Sequence, residues 1–180
     1  YWQGYQVNQT LSYIPISSLS LPLSLSVNRI DFNSVFRDGN GNLLPQSPPT
    51  FRLTHPNGTV TSQSGSAIYI LPAGSYSISG VMWRGVDVTP ATVSFNPRNG
   101  PPTFSLQIYD ATLLVVNQDG QVLPGAQVTL SLGGQIIAQG TTATDGVLAV
   151  PNLPRGQYIV QVEYQSQNTT STLDLTQNVS

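Results

Sequence analysis

The sequence of 180 residues contains no cysteine and no lysine, and only 8% of its residues are charged. An average soluble domain carries roughly 25% charged residues. Without cysteine there can be no disulfide, no thiolate metal site and no thiol nucleophile. The six basic residues are all arginines (Arg29, Arg37, Arg52, Arg84, Arg98 and Arg155), scattered along a chain of net charge −2. Nothing here would neutralise a phosphate backbone, so no nucleic-acid partner is expected. No apolar run approaches the roughly 20 residues that span a bilayer, so no membrane span is expected. The chain begins at Tyr1 without an apolar leader, which reads as a secreted, processed protein.

Catalytic groups are equally scarce. The single histidine, His55, sits in the turn signature THPNGT and reads as a surface turn residue rather than a general base. The single glutamate, Glu163, alternates outward between Val162 and Tyr164. No GxSxG, HExxH or phosphate-loop motif occurs. The run Asp38-Gly-Asn40-Gly-Asn42 resembles the start of a calcium loop, but Pro49 stands where such a loop needs its bidentate glutamate. Turn chemistry explains that run adequately. No enzyme activity, metal or cofactor is expected. So few titrating groups should leave the fold tolerant of pH, which suits an exposed, acidic extracellular habitat.

What the sequence does hold is 39% hydrophobic residues, 16 glycines and 14 prolines. Apolar residues recur with period two, as in Val128, Leu130 and Leu132 or in Tyr158, Val160 and Val162. Between such runs lie Asn57-Gly58, Asp119-Gly120, Gly133-Gly134 and Asp145-Gly146, pairs that accept the positive φ of tight turns. The fold is therefore all-β.

The chain also repeats itself. NGNLLP from Asn40 matches DGQVLP from Asp119, and LPAGSYSI from Leu71 matches LPRGQYIV from Leu153. The offsets are 79 and 82 residues, so a small insertion separates two copies in the same order. The pattern DGQVLPGAQVTL…TDGVLAVPNLPRGQYIVQVEY resembles the carboxypeptidase-regulatory-like and collagen-adhesin B-type modules. That resemblance implies two tandem Ig-like, prealbumin-like β-sandwich modules serving as stalks, spacers or adhesin repeats. Relatives that crosslink a lysine to an asparagine would not be imitated here, because lysine is missing. The expected division is an N-terminal arm over 1–26, module 1 over 27–109 and module 2 over 110–180.

The ends of the two copies differ. Module 1 continues into TFSLQIY (Thr103–Tyr109), whereas module 2 has no counterpart of that strand before Ser180. Conversely, Leu19, Leu21, Leu23, Leu25 and Val27 alternate with Ser18, Ser20, Pro22, Ser24 and Ser26 in a strand that module 1 does not require. The expectation is exchange: this N-terminal donor strand completes module 2 of an identical neighbouring subunit by strand addition. Pro22 removes one ladder donor and favours an edge position. Pairing within the chain's own modules is the other reading. The organisation resembles donor-strand pili and, more closely, archaeal thread filaments, which implies a glycosylated homopolymer at the cell surface. A monomeric adhesin or carbohydrate-binding module of a larger secreted protein is the alternative.

Four sequons mark candidate N-glycan sites at Asn8, Asn57, Asn168 and Asn178. Asn57 and Asn168 are expected in loops, where glycans fit. Tyr1, Trp2, Tyr5 and Tyr13 fit an arm packed on a partner, with a glycan platform as the second reading. Trp83 is expected in the core or between modules.

Overall fold

The computed structural model describes residues 27–44, 49–64, 67–70, 74–91 and 93–177. Leu19, Leu21, Leu23, Leu25, Asn8 and Asn178 lie outside them. The fold is all-β, as the alternation predicts, and its described helical turns are two 3₁₀ turns of three residues, Phe32–Ser34 and Pro97–Asn99. In chain order the first nine strands are β1 (Asn28–Asp31), β2 (Phe36–Arg37), β3 (Thr50–Thr54), β4 (Val60–Ser64), β5 (Ala67–Ile70), β6 (Tyr76–Trp83), β7 (Val86–Asp87), β8 (Ser94–Phe95) and β9 (Phe104–Ser105). The remaining six are β10 (Ile108–Leu114), β11 (Gln127–Leu132), β12 (Gln135–Thr141), β13 (Val147–Pro154), β14 (Gly156–Tyr164) and β15 (Gln167–Leu175).

Two arrangements repeat along the chain. The first has β4-β3-β6-β7 in one sheet, with β8 also on β6, and a separate β1-β5 pair. The second has β12-β11-β14-β15 in one sheet and a separate β10-β13 pair. Each encloses its own apolar cluster. Ile30, Phe32, Phe36, Leu53, Ile78 and Val81 belong to the first, which ends at Ile108. Ala111, Leu130, Leu153, Tyr158, Val160 and Leu175 belong to the second. The single strand β10 links them, its residue Ile108 buried in the first cluster and Ala111 in the second. No linker intervenes.

Side chains from both arrangements meet beside that strand. The Trp83 indole N–H donates to the Asn152 carbonyl at 2.8 Å, and the Arg84 guanidinium donates to the Pro151 carbonyl at 3.2 Å. Trp83 thus serves both as core and as a contact between the two halves. Tyr158 is fully buried, and its hydroxyl donates to the Pro154 carbonyl at 2.7 Å. Burial pushes its pKa up to about 12.

His55 departs from the sequence reading. It is buried, not a surface residue, with Nε2 at 3.0 Å from the Thr61 hydroxyl and its ring 5.6 Å from that of Tyr76. The turn itself is as expected, but Tyr76 on β6 folds against it. Burial holds the imidazole below its ordinary value of 6.5. The unfolded chain therefore takes up a proton before the folded one does as the pH falls. Stability is fully present above pH 6.5 and should decline as the pH drops from there through the folded-state value. Denaturant midpoints at pH 8 and pH 5 should differ by this contribution, and His55→Gln should abolish the difference.

Candidate strand-acceptor groove

The turn after β2 shows how closely the two halves correspond. The Asp38 carboxylate accepts the backbone N–H groups of Asn40 and Asn42 at 2.9 and 2.8 Å, while Asp38 N–H donates to the Asn42 carbonyl at 2.9 Å. Seventy-nine residues later the Asn117 side-chain oxygen accepts the N–H groups of Asp119 and Gln121 at 3.0 and 2.8 Å. Asn117 N–H in turn donates to the Gln121 carbonyl at 2.9 Å. Both turns are closed by an isolated bridge, Arg37 to Leu43 and Val116 to Val122. The Asp38 carboxylate is thus engaged in holding its turn, in agreement with the turn reading of DGNGN. Among the described residues no group of three or more His, Asp or Glu could hold a metal ion.

Given this correspondence, Val115 and Val116 occupy the places of Phe36 and Arg37. In the first half those places are covered. β9 runs parallel to β2, with Phe36 opposite Phe104 and Arg37 opposite Ser105. Phe104 N–H donates to the Val35 carbonyl and Leu106 N–H to the Arg37 carbonyl, each at 2.8 Å, and Gly39 N–H donates to the Ile108 carbonyl at 2.9 Å. The Phe104 ring lies 5.7 Å from that of Phe36 and 5.8 Å from that of Phe95. Phe104, Leu106 and Ile108 are all buried, while Ser105 and Gln107 between them are exposed.

In the second half the same seat is an open groove of about 1090 Å³. Its floor is Val128, Val160 and Val162; one wall runs along 112–119 and the other includes Tyr164, Thr169 and Leu173. Equivalent core positions are accordingly less covered. Phe36 is 1% exposed, yet Val115 in its place is only half-buried, as is Val162 on the groove floor. Leu114 and Val116 are 61% and 43% exposed.

The backbone on this wall is also available. Val115 N–H bonds the Gly146 carbonyl, and bonding alternates residue by residue along an antiparallel ladder. The Leu114 carbonyl therefore faces away from β13, toward the groove. The Val116 carbonyl and the Gln118 N–H take part in none of the backbone hydrogen bonds among the described residues. These groups are the counterparts of the ones that hold Phe104 to Ile108 in the first half. An exposed apolar edge with unsatisfied ladder groups is a site for adding a strand.

Residues 112–180, which contain the groove, match the family model of the carboxypeptidase regulatory-like domain. No curated protein matches the chain. Among solved structures the chain is similar to the Bacillus anthracis TIE protein, at 17% identity and a TM-score of 0.37, covering 87% of this chain and 32% of that one. It is also similar to a streptococcal ancillary pilin, at 16% identity and a TM-score of 0.31, covering 86% of this chain and 61% of that one. The chain thus spans about a third of the first and less than two thirds of the second.

Of the residues singled out from the sequence, Val27 is half-buried immediately before β1. Asn57 is exposed at the tip of the β3–β4 hairpin, as expected, with its side-chain oxygen accepting Thr59 N–H at 3.0 Å. Asn168 is exposed but lies in β15, not in a loop, and it lines the groove. The reason is the tightness of the preceding turn. Gln165 and Ser166 both take positive φ (48° and 64°), so β15 starts at once. No helix of the described residues is long and apolar enough to cross a membrane.

Proposed function

We propose that this protein is the structural subunit of an extracellular filament, built as an arm (1–26), module 1 (27–109) and module 2 (110–180). Leu19–Val27 of one subunit enters the groove of module 2 in the next. The observation that supports this reading is the contrast between the halves, one seat filled by Phe104–Ile108 and the equivalent one open along Leu114–Gln118. A head-to-tail contact of this kind does not close on itself and generates a fibre. The only chemistry it requires is apolar burial and backbone pairing, and the chain is composed for that. The alternative, a monomeric adhesin, would leave the groove for a foreign strand or glycan. Electron microscopy and size-exclusion chromatography of the purified protein distinguish them: filaments that vanish when residues 1–26 are deleted support the subunit, and monomers at every concentration support the adhesin.

The same reading includes N-linked glycans. Asn57 stands on an exposed tip distant in sequence from the groove, so modification there is compatible with assembly. Asn168 lines the groove, and a glycan on it must be accommodated beside an entering strand. On a surface with so few charges, such glycans would limit lateral aggregation. In native material the peptide that carries Asn57 is expected to exceed its polypeptide mass. Peptide mapping should find Asn57 occupied; bare polypeptide mass would refute the decoration.

A further inference from the structure

We infer that the joint between subunits copies the joint inside each subunit, with the donor strand parallel to 115–116 and Leu23 opposite Val115. This deepens the filament reading and rests on it. The template is the run from β9 into β10, whose residues Phe104, Leu106 and Ile108 fill module 1 and lead straight into the first strand of module 2. Leu19–Val27 leads in the same way into β1.

The register follows from paired strands. Ile30 lies opposite Ile68 on β5, and Ala111 lies opposite Val150 on β13; both are buried, so they are equivalent positions. Counting back from each, Val27 takes the place of Ile108, Leu25 that of Leu106 and Leu23 that of Phe104. Apolar residues fall on apolar places and Ser24 and Ser26 on those of exposed Ser105 and Gln107. The Leu23 and Leu25 N–H groups then meet the carbonyls of Leu114 and Val116, and the Val27 carbonyl meets Gln118 N–H.

The same counting gives the rest of the joint. Trp83 precedes a turn at Arg84 and Gly85, both at positive φ, and Tyr164 precedes the equivalent turn at Gln165 and Ser166. Tyr164, half-buried at the end of the groove, therefore takes the position of Trp83 against the incoming module 1.

Because the chain lacks cysteine, single thiols report this register cleanly. Arg37 lies opposite Ser105, so Val116 should lie opposite Ser24, a spacing that a disulfide bridges. Ser24 belongs to the serine set of the alternating sequence and Val116 is 43% exposed, so both substitutions spare the apolar positions. Full-length chains carrying Ser24→Cys and Val116→Cys are mixed in equal amounts and oxidised, so that a crosslink forms only between chains. The expected product is a species of doubled mass on a denaturing gel, lost on reduction. Parallel mixtures use Ser20→Cys or Ser26→Cys in place of Ser24→Cys. If either crosslinks in preference, the register is wrong while strand donation stands. If filaments form but no mixture crosslinks, donation itself is wrong. If a chain carrying both Ser24→Cys and Val116→Cys closes only on itself, the strand pairs in cis and both readings fall.

Discussion

With Leu23 and Leu25 both replaced by Asp, the protein is expected to remain monomeric at concentrations where the parent chain forms filaments. Each fully buried leucine contributes about 1.5–3 kcal/mol, so the pair removes roughly 3–6 kcal/mol from the contact. At about 1.4 kcal/mol per tenfold, association weakens by about 10²- to 10⁴-fold. The cost of placing carboxylates against Val115, Val162 and Leu173 comes on top. Light scattering and electron microscopy read the outcome directly. Ser24→Asp is the matched control: it adds a charge to the same strand on its polar side and should leave assembly nearly intact. Filaments of normal repeat from the double variant would show that this strand is not the link.

Much of the β-fold is legible in the sequence, because alternation is a local property. The Val–Leu rhythm of β11 identifies a strand with one apolar face, and the Leu–Ser rhythm of 19–27 raises the same expectation for residues that, Val27 excepted, lie outside the described ones. The repeat was visible from LPAGSY and LPRGQY alone. Its exactness was not, since DGNGN and NQDGQ share little lettering. They fold alike because a carboxylate oxygen and an amide oxygen accept the same two backbone N–H groups.

Other features depend on partners far away in the sequence. His55 is buried by Tyr76, which no turn motif announces. The parallel pairing of β2 with β9 is only two residues long and joins Phe36 to Phe104. Nothing local to either strand specifies the other. The Gln165–Ser166 turn is silent in the sequence because it takes positive φ without glycine or asparagine. Asn168 therefore lies in β15 where the sequence reads as a loop.

Moving Leu19–Val27 from the front of the chain to follow Ser180 directly is expected to abolish polymerisation and to raise thermal stability. Joined there, Leu23 stands as far beyond Tyr164 as Phe104 stands beyond Trp83, so the strand reaches its seat without added linker. Each molecule then fills its own groove, as β9 fills module 1, and has no strand left to donate. The apolar gain must exceed the backbone cost of ordering the five residues Leu23–Val27, about 1–2 kcal/mol each. The ladder groups of Leu114, Val116 and Gln118 and three buried side chains supply that gain. A net surplus of only about 2 kcal/mol raises the unfolding temperature by roughly 4–8 °C for a chain of this size. The reference is a chain simply lacking residues 1–27, which keeps the groove and has nothing to place in it. Calorimetry on both, with chromatography for the assembly state, gives the comparison. The transplanted strand carrying Leu23→Asp should lose the gain while remaining monomeric. An unfolding temperature equal to that of the truncated chain would mean that the groove does not take this strand. Filaments from the transplanted chain would mean that assembly runs through another surface.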